Sequence, residues 1–152
     1  MIKKYFINVI LVLLAIASLI FIILNYQNSH RLNSLQMRID DQVTINLSDL
    51  EHILSKVEDE ASLKSNLLLI REVTSKLVAV TGLSSYDKQG NVVTLYSEFL
   101  LLEQKLRNLD SSGVIITQDQ LTELKDLIRS LSKDPGNQDL ILKLYNLTVT
   151  LA

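Results

Sequence analysis

The chain has 152 residues, of which 47% are apolar, 21% charged and 5% aromatic, with four Gly, one Pro and no Cys or Trp. That length holds one domain of ordinary size and excludes two large ones. So few turn-formers and aromatics exclude an all-β fold, whereas 31 Leu favour helix. The formal net charge is −2. A mean hydropathy of +0.23 is high for a soluble domain of this size, so part of the apolar content is expected outside a water-soluble core.

Residues 6–24 read FINVILVLLAIASLIFIIL, uncharged, with Asn8 and Ser18 as the only polar members. A helix of about 20 residues crosses the hydrocarbon layer of a bilayer. Tyr5 and Tyr26 flank the run, where amphipathic rings favour the two interfaces. A single transmembrane signal anchor is expected over residues 5–26, behind a short cytoplasmic tail, residues 1–4. The rival is a cleaved signal peptide, with Ala15-Ile16-Ala17 as its site. The apolar run continues past that triplet to Leu24, which disfavours cleavage. Lys3 and Lys4 abut the run, whereas Arg31 and Arg38 lie further beyond it. Proximity therefore predicts a cytoplasmic N-terminus and an extracytoplasmic C-terminal part in the cytoplasmic membrane.

Residues 25–152 hold 13 basic and 17 acidic side chains, net −4, with the basic ones scattered. No nucleic-acid surface or polybasic lipid-docking segment is expected from that balance. A helical stalk is expected over residues 27–47. Its apolar seam is Leu32, Leu35, Ile39, Val43 and Leu47, continuing at Leu50, Leu54, Val57 and Ala61, spaced as in a coiled coil with one stutter. Two readings compete for this seam: one long helix rising from the membrane, or a break at Thr44–Leu47, where β-branched residues and Asn gather; the break is favoured, because Ser48-Asp49-Leu50-Glu51 fits a capping box that would start the next helix.

From Ser48 the pattern predicts a bundle of four to five helices, residues 48–152. One helix runs to Thr81 and ends at Gly82, read as a left-handed C-terminal residue. A polar loop, residues 83–91, follows. The helical period resumes at Val92 and stops before a loop at Ser111-Ser112-Gly113. Thr117 and Gln120 form a capping box, with Ile116 and Leu121 at the hydrophobic-staple positions and Asp119 at the positive helix end. That helix carries Leu121, Leu124, Ile128 and Leu131 and stops before Asp134-Pro135-Gly136-Asn137. A last helix carries Leu140, Leu144, Leu147 and Leu151. The expected fold is all-α: one transmembrane helix, a stalk and a small bundle.

No catalytic motif stands out. His30 and His52 lack partners at metal-ligand spacing. Glu58-Asp59-Glu60 reads as a solvated run, and the four Gly are isolated, so no phosphate-cradling loop exists. An enzyme would need a buried ionisable pair; Glu98 and Glu103 neighbour an apolar face but are expected on its solvent side. No enzyme activity, metal or cofactor is therefore expected.

Two over-wide apolar turns remain: Leu67, Leu68, Leu69 and Ile70, and Phe99, Leu100, Leu101 and Leu102. Either they are buried on most sides, or they leave a docking face. They are the candidate interaction residues. The expected function is a membrane-anchored interaction or scaffold module that binds a protein partner or a second copy. The alternative is an extracytoplasmic sensory bundle acting with a separate signalling or transport protein. A membrane-spanning lysis helper with a long coiled coil fits the size but not the several short helices.

Overall fold

The computed structural model describes residues 2–87, 93–112 and 116–151; the side chains at 2–13, 15, 60 and 109–112 lie outside the description. It is all-helical over the described residues: α1 (Ile2–Ser55), α2 (Glu60–Thr81), α3 (Leu95–Ser112), α4 (Gln118–Lys133) and α5 (Gln138–Thr150). The chain divides into two compact units, Met1–Met37 and Arg38–Ala152.

The first unit consists of the N-terminal part of α1. Its described apolar side chains, from Leu14 to Leu35, are exposed, and the Tyr26 ring meets His30 edge-on at 4.5 Å between centroids. Among the described residues no helix is long and apolar enough to cross a membrane. Of the apolar run at 6–24, the side chains at 6–13 and 15 lie outside the description.

The second unit is the bundle. Each helix contributes a seam stepping by three and four residues: Val43, Leu47, Leu50 and Leu54 from α1; Leu63, Leu67, Ile70, Thr74, Leu77 and Thr81 from α2; Leu95, Phe99, Leu102 and Leu106 from α3. Leu121, Leu124, Ile128 and Leu131 continue it in α4, and Ile141, Leu144, Thr148 and Leu151 at α5. Such spacing keeps one stripe per helix facing a common core. The threonines in the seams satisfy their hydroxyls locally: Thr74, Thr81 and Thr148 each donate to the carbonyl four residues earlier, at 2.8 Å. α2 packs on α3, α3 on α5 and α5 on α4. α1 is tied to α4 through Glu51, which accepts from Arg129 Nε at 3.2 Å and from the Ser132 hydroxyl at 3.0 Å. Asp40 accepts from the Ser85 backbone N–H at 2.8 Å and its hydroxyl at 2.7 Å.

Four local expectations are corrected. No break occurs at Thr44–Leu47: α1 runs through to Ser55, and Ser48 and Glu51 are mid-helix. Burial of Val43, Asn46, Leu47 and Leu50 against the core outweighs the weak helix preference of the β-branched residues and Asn there. The chain turns instead at Lys56 to Asp59, where Lys56 and Val57 donate back to Ile53 and Leu54 carbonyls at 3.1 Å. Side chains of α4 cover that end: Gln118 Nε2 donates to Glu58 O at 2.9 Å and Lys125 Nζ to Val57 O. Asp59, read as part of a solvated run, is the N-cap of α2. It accepts from the Ser62 N–H at 2.8 Å, while the Ser62 hydroxyl accepts from the Asp59 N–H at 2.9 Å. The Ser62 N–H, and after it the Ser62 hydroxyl, which also donates to Asp59 Oδ1 at 2.8 Å, hold the Asp59 carboxyl below the usual carboxylate range.

Gly82 is not left-handed; its φ is −65°. Its small size serves a close approach, because a Cβ there would stand 3.2 Å from the Tyr96 ring. Ser111 and Ser112 belong to α3 rather than a loop; Gly113 lies outside the described residues, as do Val92 and positions 88–91 of the expected loop. α3 begins at Leu95, where the Thr94 hydroxyl accepts from Ser97 N–H at 3.1 Å and the Ser97 hydroxyl from Thr94 N–H at 3.0 Å.

The α4 start matches its sequence pattern. Thr117 accepts from the Gln120 N–H at 3.2 Å, Gln120 Oε1 accepts from the Thr117 N–H at 3.0 Å, and Ile116 and Leu121 are both buried. The Asp134-Pro135-Gly136-Asn137 turn separates α4 from α5, with Asn137 capping α5 by accepting from the Leu140 N–H at 3.2 Å.

Candidate interaction surface

The helical rotation of about 100° per residue splits each apolar quartet. On α2, Leu67 and Ile70 point into the core, whereas Leu68 is 75% and Leu69 48% exposed. On α3, Phe99 and Leu102 are buried, and Leu100 and Leu101 are half-buried. Four of the eight candidate residues therefore fill the bundle, and Leu68 and Leu69 form its most exposed remaining apolar pair on α2. The half-buried Leu100 borders a shallow hollow of about 430 Å³ on α3, lined also by Glu103, Gln104, Arg107 and Asn108.

A second apolar stripe lies on α5. Leu142, Tyr145 and Val149, at spacings of three and four, are 49%, 38% and 50% exposed. They sit on the face opposite to Leu144 and Leu147, so α5 is apolar on two sides. Leu140, Leu144, Leu147 and Leu151 mark only one of the two stripes in the sequence. An open groove of about 460 Å³ runs between α4 and α5, with Glu123 and Asp126 on one wall and Leu140 and Lys143 on the other.

The two glutamates of α3 are corrected as well: neither is on the solvent side. Glu98 is 0% and Glu103 7% exposed. Their situations differ. Glu103 accepts from Arg107 at 2.8 Å, one turn along the helix, which pairs its charge at the rim of the bundle. Glu98 has no such partner; neither of its carboxylate oxygens is hydrogen-bonded. Burial pushes its pKa up to about 7, against a lowering effect of the Thr148 side chain of α5. Thr148 gives its hydroxyl proton to the Leu144 carbonyl instead. A carboxyl in that position is far cheaper to hold neutral than ionised.

His52 is exposed, and among the described residues no three His, Cys, Asp or Glu side chains converge as metal ligands would. Comparison of the chain with protein-family models, curated proteins and solved structures finds no match.

Proposed function

We propose that this chain is a single-pass, membrane-anchored helical interaction module, which holds its bundle at the extracytoplasmic face of the cytoplasmic membrane and there binds a protein partner or a second copy. The observation that carries the reading is the uncharged 19-residue run at 6–24, directly behind Lys3 and Lys4 and set within the helical α1. Its composition and length suit a bilayer, and the basic pair suits an N-terminus held in the cytoplasm. A module of this kind works by position. Anchoring restricts it to the membrane surface and raises its effective concentration towards neighbours, so contacts of modest area suffice.

For the contact itself the best-supported surface is the exposed pair Leu68 and Leu69, with 75% and 48% of their surface open. Adjacent, exposed Leu side chains gain by being covered. The work is binding, not catalysis, and it calls for no cofactor.

The absence of native Cys makes single-cysteine cross-linking clean. With Leu68→Cys in native membranes, a thiol cross-linker is expected to trap one discrete larger species, while Lys76→Cys, on an exposed position of the same helix, gives none. Equal, diffuse labelling at both positions, or no adduct at Leu68→Cys, contradicts the docking role.

A further inference from the structure

The interior of the bundle is apolar apart from a few side chains, nearly all of which have partners. The exception on α3 is Glu98, a fully buried carboxyl at the seam with α5, both of whose oxygens lack a hydrogen bond. No function proposed above uses it.

Its surroundings offer nothing to balance a charge. The polar group facing it from α5 is Thr148, whose hydroxyl is spent on Leu144. The charged groups of α5, Asp139 and Lys143, are exposed. On α3 itself, Glu103 pairs with Arg107, and Lys105 Nζ donates to the Leu151 carbonyl at 2.6 Å. On α2, which also packs on α3, Lys76 pairs with Glu72.

α5 is also an element able to respond. It is the last helix described, 13 residues long, and it packs on α3 and α4. Beyond its apolar face, side-chain bonds among the described residues hold its two ends: Asn137 caps the first turn, and Lys105 donates to Leu151 O and Gln120 Nε2 to Thr150 O, at 3.3 Å, at the last. A short element with few polar ties opens locally at less cost than the bundle unfolds.

We propose that Glu98 is a proton-operated latch on the C-terminal helix: protonated, it lets α5 close on α3; ionised, it draws water into the seam and releases α5, uncovering Ile141, Leu144 and Leu147. The reaction is a simple proton equilibrium, the carboxyl losing its proton to solvent as the seam opens. A rise of pH from about 4.5 to about 7 would thereby change which apolar surface the module presents.

Hydrogen exchange on the full-length protein in nanodiscs tests this, at about pH 5.5 and about pH 8.5, with rates corrected for the intrinsic effect of pH. In the wild type, protection of α5 amides is expected to fall by about tenfold or more relative to α4 at the higher pH. Glu98→Gln and Glu98→Leu, neither able to ionise, should each abolish that difference. The two variants differ in polarity and shape, so one that packs poorly does not decide the matter. Equal α5 protection in the wild type at both pH values overturns the latch, as does a wild-type difference that survives in either folded variant.

Discussion

Replacing Phe99 by Ala should cost the bundle about 3–5 kcal/mol, the range for emptying a large buried aromatic site. Phe99 is the only Phe after residue 24, is fully buried, and sits in the α3 seam between Leu95 and Leu102. Its ring is the largest fully buried side chain of the core. α3 packs on α2 and α5, whose side chains can close only part of the space, so both lost transfer energy and the residual cavity contribute. In thermal melts followed by circular dichroism, the midpoint is expected to drop by roughly 10–20 °C. Leu68→Ala, exposed on α2, should leave the midpoint within about 2 °C. A Phe99→Ala protein that melts with the wild type would mean that the seams do not meet as described.

The second large effect is a dependence of stability on pH that runs opposite to ordinary acid denaturation. Folding raises the Glu98 pKa from 4.5 to about 7. Below the lower value the carboxyl is protonated whether the chain is folded or not, and it costs nothing in charge. As pH rises from about 4.5 to about 7 the unfolded chain ionises first, so stability is lost across that window and stays lost above it. The full shift corresponds to about 3 kcal/mol. Asp59 and Glu72 are lowered by folding, through Ser62 and Lys76 respectively. Their contributions therefore vanish as pH falls through the acid range, below the Glu98 window. Denaturant titrations of the wild type and Glu98→Gln separate the two effects. The stability difference should favour the variant by up to about 3 kcal/mol near pH 8 and shrink towards zero near pH 4. A difference independent of pH would show that Glu98 ionises as freely in the folded protein as in the unfolded one.

The all-α bundle could be read from the sequence because its signals were redundant. At the start of α4, Thr117, Gln120, Ile116 and Leu121 combine side-chain capping with a hydrophobic staple. At its end, Asp134, Pro135, Gly136 and Asn137 leave little choice but a turn. Where a pattern stood alone it misled. Ser48-Asp49-Leu50-Glu51 has the form of a capping box, yet Leu47 and Leu50 belong to an unbroken buried stripe, so tertiary packing keeps α1 helical. The actual N-cap, Asp59 with Ser62, lacks the usual Glu or Gln partner and lies in what looked like a solvated acidic run. Gly82 was legible as a helix end, but its reason is the Tyr96 ring, a contact between elements that no local pattern encodes.

The two apolar quartets show the limit more sharply. Four consecutive large residues announce that a helix is apolar all round, but not which two face inwards. That requires the register fixed by Leu63, Thr74, Leu77 and Thr81 on α2, and by Leu95 and Leu106 on α3. On α3 the same register would have placed Glu98 and Glu103 roughly 70° either side of the seam centre, within the arc a core covers. Glutamate is so seldom buried that composition argued the other way. Glu103 lies within that arc and still finds Arg107; Glu98 lies within it and finds no partner.

We propose that residues 6–24 anchor the bundle outside the cytoplasm. The most direct test fuses alkaline phosphatase, active only outside the cytoplasm, after Ala152 and follows the fusion through carbonate extraction of membranes. The account predicts phosphatase activity in the carbonate-resistant membrane fraction, lost to the soluble fraction when residues 1–26 are removed in favour of a cleavable export signal. An inactive fusion, or one that carbonate releases from the membrane intact, would contradict it.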